Sequence, residues 1–157
     1  MKRLGTYLVW VVACEILGLL GGIVTFHAVA TWYPALVKPS WTPPNWVFGP
    51  VWTVLYALMG IAAARVWIHH RGTRSGRYSL MLFGVQLALN CTWSVLFFAV
   101  RVPGYAFVEI VLLWITILAL VLWWWWLDRK ASLLLVPYLA WAGFAGALNA
   151  TIWNLNP

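Results

Sequence analysis

The chain has 157 residues, of which 64% are hydrophobic and 8% charged, with a mean hydropathy of +0.87. Soluble domains of this size are about half apolar and a quarter charged, so a water-soluble globule is excluded and lipid is the solvent for most of the surface. The net charge of +7 raises nucleic acid as a partner, but basic residues scattered over short, separate loops make a poor duplex-binding surface, and no nucleic-acid partner is expected.

The apolar residues fall in five blocks of spanning length. They predict one all-α domain over 1–157, a five-helix transmembrane bundle. Strands of a barrel would alternate in hydropathy, and these blocks do not. Met1-Lys2-Arg3 and the apolar run behind it resemble a signal peptide. No small-residue cleavage site closes a short core, so a retained helix is expected at about 6–27. Glu15 lies mid-span in it. A carboxyl there is costly and is read either as a ligand or proton site or as a protonated, amide-paired group at a packed interface. With no basic residue at its depth, the second reading is preferred. His27 closes this helix in a capping or interfacial role.

The segment Trp32–Trp46 is aromatic and proline-dense. Prolines fix φ and limit such a loop to few conformations, and aromatic rings suit the water–lipid boundary. An ordered loop that covers a site is predicted. Helix 2 is expected at about 47–69, capped by Thr42 or Asn45 with Pro43 and Pro44 near its first turn. The polar loop Arg71–Arg77 leads to helix 3 at about 79–99, the turn Arg101–Gly104 to helix 4 at about 105–127, and Asp128-Arg129-Lys130 to helix 5 at about 132–153. Glu109 lies near the end of helix 4 and is expected to reach the interface. Trp123–Trp126 reads as an interfacial belt.

Gln86, Asn90, Trp93 and Phe97 recur on one face of helix 3. Trp52 and Tyr56 share a face of helix 2, and Tyr138, Trp141, Ala145 and Asn149 share one of helix 5. Two readings fit. The faces line a cavity for a flat, amphipathic ligand, or the amides bond between helices and the rings are packing. Gly18/Gly22, Gly84/Ala88 and Ala142/Gly146 are small-residue pairs that allow close helix approach, within or between chains. Cys14 and Cys91 form no disulfide framework and no metal spacing. No clustered carboxylates, Ser/His/Asp set, phosphate loop or His/Cys ligand spacing specifies an enzyme, and no metal or required cofactor is expected. Of the ten basic residues, Lys2, Arg3, Arg65, Arg71, Arg74, Arg77, Arg129 and Lys130 fall on one side and Lys38 and Arg101 on the other. This split predicts a cytoplasmic N-terminus and an external first loop and C-terminus.

Trp32-Tyr33, the run Lys38–Tyr56 with Lys-Pro-Ser-Trp-Thr-Pro-Pro-Asn-Trp at its start, Gln86–Asn90 and Val136–Trp141 together resemble the translocator protein family. These are the tryptophan-rich sensory proteins of bacteria and the peripheral benzodiazepine receptor of mitochondria. The resemblance runs from about Trp32 to Trp153. It implies five transmembrane helices, a homodimer and a pocket beneath the first loop. It implies as ligands porphyrins such as protoporphyrin IX, benzodiazepine- and isoquinoline-type compounds, and sterols. Its pocket positions fall on Trp32, Tyr33, Trp41, Pro43, Trp52, Tyr56, Asn90, Phe97, Trp141 and Ala145. The animal sterol motif, Leu-Asn-Tyr followed by Arg, here reads Leu148-Asn149-Ala150 through Asn154 and lacks both tyrosine and arginine, which argues against sterol recognition by that motif.

The function expected from the resemblance is a membrane receptor, sensor or carrier for porphyrins in tetrapyrrole and stress regulation. The alternative it implies is an enzyme that degrades porphyrin with light and oxygen, and a third possibility is a scaffold whose aromatic interior is only packing. The charge bias favours a bacterial cytoplasmic membrane, with the outer membrane as the alternative. Trp32, Trp41 and the Pro43-Pro44 pair are expected to form a lid over the cavity between helices 2, 3 and 5, with Trp52 and Tyr56 just below it.

Overall fold

The computed structural model describes Lys2–Asn156, apart from the side chains of Lys2 and Val24. It contains five helices long and apolar enough to cross a membrane among the described residues. They are α1 (Lys2–Thr31), α2 (Asn45–His70), α3 (Arg74–Ser94), α4 (Pro103–Leu127) and α5 (Arg129–Leu155). α3 continues as a π-helical turn, Val95–Ala99, and a 3-10 turn, Tyr33–Ala35, opens the first loop. The Lys2 side chain, one of the basic groups in the orientation argument, lies outside the described residues.

Every helix begins before the span expected for it, and α1, α2 and α5 also end beyond it. Backbone groups must be satisfied within the helix wherever water is absent, and the caps lie in the short polar connections. Thr73 accepts from the Gly76 N–H at 3.0 Å and starts α3 at Arg74. Asp128 accepts from the Ala131 N–H at 3.0 Å and starts α5 at Arg129, so the expected three-residue turn is one residue long. Pro103 occupies the first turn of α4, where its missing N–H costs nothing. The expected cap of α2 is not present. Pro44 precedes the helix, Asn45 is its first residue, and the Thr42 hydroxyl instead donates to the Pro39 carbonyl at 2.8 Å.

Around the bundle the order of neighbours is α1, α2, α5, α4, α3, with α1 closing the ring against the π-helical end of α3. At the end that carries the basic loops, packing is tight. Gly60 has no room for a side chain: a Cβ there would lie 2.5 Å from Val11 Cα. Met59, Ala62, Ala63, Ala64 and Val66 are fully buried beside it, and Phe83 stacks on Trp124 at 5.7 Å. The four-tryptophan run therefore divides: Trp124 is core, whereas Trp126 is 88% exposed. Asp128 ties this end together. Its carboxylate accepts from Arg65 Nε and Nη2 at 3.0–3.2 Å while capping α5. Burial acts against the ionised form, but the bonds from Ala131 and Arg65 and the guanidinium charge outweigh it and hold the carboxyl below its usual range.

Glu109 departs from expectation. It is buried in α4, and neither carboxylate oxygen has a hydrogen-bond partner among the described residues. It lies in the second turn of α4, which begins at Pro103, on the face that the bundle buries rather than at an exposed helix end.

Candidate ligand cavity

At the loop end the helices part and enclose a cavity of about 530 Å³. Its walls come from α1, α2, α3 with its π-helical turn, and α5, and Tyr33 contributes from the loop. The π-helical turn brings Phe97 and Phe98 to within 4.9 Å of each other and stacks Phe97 on Trp93 at 5.6 Å. On α2, Trp52 lies 5.7 Å from Tyr56, one turn apart. On α5, Trp141 packs between Phe48 and Phe144 at 5.9 and 5.3 Å, and Ala145, 8% exposed, leaves space one turn further on.

Two chains of hydrogen bonds run through the walls. The Tyr56 hydroxyl donates to Asn90 Oδ1, and Asn90 Nδ2 donates to the Tyr138 hydroxyl at 2.9 Å. Trp93 Nε1 donates to Asn149 Oδ1 at 3.1 Å, and Asn149 Nδ2 donates to the Pro103 carbonyl at 2.8 Å. Both readings of these amides therefore hold at once: they bond between helices, and Asn90 and Asn149 also line the cavity. Gln86 is buried below, donating to Met59 Sδ at 3.8 Å, and does not line it.

Two donors in the lining remain unpaired. The Tyr33 hydroxyl and the Trp141 Nε1–H are buried with no hydrogen-bond partner among the described residues. Burial pushes the Tyr33 phenol above its ordinary range, which keeps it a neutral O–H donor. An unsatisfied buried donor costs about 1–3 kcal/mol; both atoms are shielded from solvent as the rings stand, so a ligand acceptor would recover that cost only if a ring turned toward the cavity.

Of the ten positions carried by the resemblance, seven line this cavity: Tyr33, Trp52, Tyr56, Asn90, Phe97, Trp141 and Ala145. The other three lie around it. Trp32 packs edge-on against Phe97 at 5.8 Å, with the Arg101 guanidinium 5.8 Å from its ring. Trp41 is 47% exposed and packs on Phe144 at 5.7 Å. Pro43 lies in the loop before α2, outside the lining. Tyr33, rather than the Trp32, Trp41 and proline set, is the loop residue over the cavity.

The α1 wall was not anticipated. Glu15, Gly18, Gly22, Thr25 and Val29 follow one helical stripe along the lining, a periodicity readable in the sequence. Glu15 is half-buried in that wall, rather than enclosed at a packed interface. Gly18 lets α1 lie against Tyr56, since a Cβ would meet the ring at 2.4 Å. Leu19 and Phe26 of α1 and Trp46 of α2 line the cavity while remaining 67%, 79% and 75% exposed, so these two helices frame an opening on the lipid-facing side.

A model of the TspO/MBR family matches residues 10–154. The tryptophan-rich protein TspO of Chlorobaculum tepidum is 42% identical over 156 residues, covering 99% of both chains. Protein CrtK of Rhodobacter capsulatus is 39% identical over 151 residues, 96% of this chain and 92% of its own. The translocator protein of Homo sapiens is 42% identical over 126 residues, 80% of this chain and 75% of the human one. The match runs through all five spanning helices and the loop that roofs the cavity: the chain is an integral, multi-pass membrane protein and belongs to the TspO/MBR family.

Proposed function

We propose that the protein is a membrane receptor or carrier for porphyrins, protoporphyrin IX in particular, and for other flat, largely apolar molecules of the isoquinoline and benzodiazepine type. The observation that carries this reading is the cavity with aromatic walls. Its volume of about 530 Å³ lies in the range of small-molecule sites. Trp52, Tyr56, Trp93, Phe97 and Trp141 offer ring faces and edges to a flat ring system. Relatives bearing the names translocator protein and tryptophan-rich sensory protein agree with a role in sensing or carriage. The same reading takes the protein as a homodimer in a bacterial cytoplasmic membrane, with its N-terminus cytoplasmic. A second reading, light-driven porphyrin breakdown, draws on Trp52 and Trp141, two electron-rich rings that both line the cavity.

Titration of tryptophan fluorescence with protoporphyrin IX, in nanodiscs and in the dark, tests the binding reading. Saturable quenching near one equivalent per chain is expected, and its absence would refute it. Repeating the titration in light separates receptor from enzyme: a product that needs the protein and is lost in Trp52→Phe or Trp141→Phe favours the enzyme. Reporter fusions after Arg74 and at the C-terminus should lie on opposite sides, with Arg74 cytoplasmic.

A further inference from the structure

The first loop meets the bundle through the rings of Trp32, Tyr33 and Trp41, which pack on Phe97, Phe98 and Phe144, and through one hydrogen-bonded clamp. Lys38 Nζ donates to the carbonyl oxygens of Tyr33, Pro34 and Leu36 at 2.8, 3.2 and 3.0 Å. Three acceptors match the three ammonium protons, and residues 33–38 fold round a single cation. Among the described residues, the main chain of this unit is hydrogen-bonded to α5 through one side chain. Asn156 Oδ1 accepts from the Val37 N–H at 3.0 Å, and Asn156 Nδ2 donates to the Val37 carbonyl at 3.0 Å. The carboxamide thus pairs with a peptide group as a neighbouring strand would, across 119 positions of sequence.

Asn156 is itself held in place. Its backbone N–H donates to the Ile152 carbonyl at 3.1 Å, and Nδ2 donates to the same oxygen at 2.8 Å. That end of α5 is braced against α4, where Trp153 packs 6.1 Å from Phe107 and Asn149 bonds to Pro103. The attachment therefore runs from a rigid helix end to a rigid loop, and Tyr33, with its unpaired hydroxyl, lies four residues from Val37.

We infer that Asn156 is a positioning residue for the cavity: its carboxamide latches the loop to α5, keeps Tyr33 over the bound molecule and thereby sets how long a flat ligand stays. The inference rests on the ligand-binding reading above.

The test uses the full chain in nanodiscs with Asn156→Ala, which removes both bonds, and Asn156→Asp, which keeps the acceptor for the Val37 N–H and loses the donor. Asn156 is the C-cap of α5 and its Nδ2 also bonds the Ile152 carbonyl, so helical content should match wild type while both substitutions lower the melting temperature by a similar, small amount. Without ligand, the Val37 amide should exchange about tenfold faster in Asn156→Ala and near the wild-type rate in Asn156→Asp, the range expected for losing one exposed bond or keeping it. With protoporphyrin IX, dissociation measured by stopped flow should rise about five- to tenfold in Asn156→Ala and less in Asn156→Asp, with association within twofold of wild type. Unchanged Val37 exchange in Asn156→Ala would overturn the latch. Faster exchange with unchanged dissociation would overturn its role in residence. Failure of wild type to bind the porphyrin at all would refute the function and the residence role together, while the exchange comparison, which needs no ligand, would still decide the latch.

Discussion

Replacing Gly60 with alanine should pry α1 from α2. The new Cβ would stand 2.5 Å from Val11 Cα, 2.8 Å from Val11 N and 2.9 Å from the Trp10 carbonyl oxygen. All three are main-chain atoms, so no side chain can rotate away. Carbon atoms in contact settle at about 3.5–4.0 Å, so the main chain of α1 must retreat by roughly 1 Å, against the Trp10–Trp67 ring contact at 5.7 Å that holds the two helices together. Two effects oppose each other. Glycine to alanine in a helix gains about 1 kcal/mol, while overpacking of this kind costs about 1–3 kcal/mol, near the upper end when backbone is struck. The net expectation is a loss of about 1–2 kcal/mol. Gly84→Ala is the control, since a Cβ there meets nothing within 4 Å and only the helical gain remains. Unfolding of both variants in detergent by increasing SDS, followed by near-ultraviolet circular dichroism, compares them directly. If Gly60→Ala is as stable as Gly84→Ala, α1 does not make the backbone contact with α2 described above, and the α1 wall of the cavity is misplaced.

Ala145→Thr puts a branched, polar side chain into the cavity one turn from Trp141 and Asn149; affinity for protoporphyrin IX should fall with the fold retained, and unchanged affinity in fluorescence titration would remove this face of α5 from the site. Trp52→Ala deletes the ring beside Tyr56 and should weaken binding by about 1–2 kcal/mol, on the scale of aromatic contacts and their buried area, chiefly through faster release in stopped flow. Asp128→Asn should lower stability at pH 7 by about 1–2 kcal/mol, a figure discounted because the Arg65 partner is partly exposed. Because the folded carboxyl titrates below its usual range, its contribution is present above the unfolded value of about 3.9 and is lost as pH falls through the lower folded one. The gap between wild type and Asp128→Asn in a pH series of SDS titrations should close on acidification, and a gap that persists at the acid end would refute the assignment.

The bundle was legible because hydrocarbon imposes both length and apolarity, and each of the five blocks meets both demands. Helix ends were less so. A lone Thr73 or Asp128 looks like part of a polar loop until its oxygen is seen accepting an N–H three residues on. The faces of α2, α3 and α5 that line the cavity followed from spacing: Gln86, Asn90, Trp93 and Phe97 are all buried as one helical face requires, and all but Gln86 line the cavity. The shift at Val95–Ala99 did not, because a π-helical turn leaves no signal in apolar residues. Glu109 was misjudged for a related reason: sequence depth measures distance along a helix, whereas burial depends on how α5 crosses α4. Trp32, Trp41 and the Pro43-Pro44 pair were expected over the cavity because they make the loop aromatic and proline-stiffened. The chain turns through Tyr33–Ala35 instead, and this gives the position to the smaller Tyr33.

The glycine contact at residue 60 also divides the molecule mechanically. On its basic side, α2 is wedged between α1 and the rest of the bundle, with Ala62, Ala63, Ala64 and Val66 fully buried and Arg65 clamped by Asp128. On its loop side the same helix shows Trp46, Thr53 and Val54 at its surface and borders empty volume. One helix is thus enclosed at one end and, at the other, held on one face by Trp141, Tyr138 and Asn90 and open on the opposite face, like a cantilever with a one-sided support. A lateral load, whether from a swollen bilayer leaflet or an oversized guest, bends such a beam at its open end and leaves the root unmoved. Differences between guests of different width should therefore register in the amides of residues 45–56 and die away beyond Gly60.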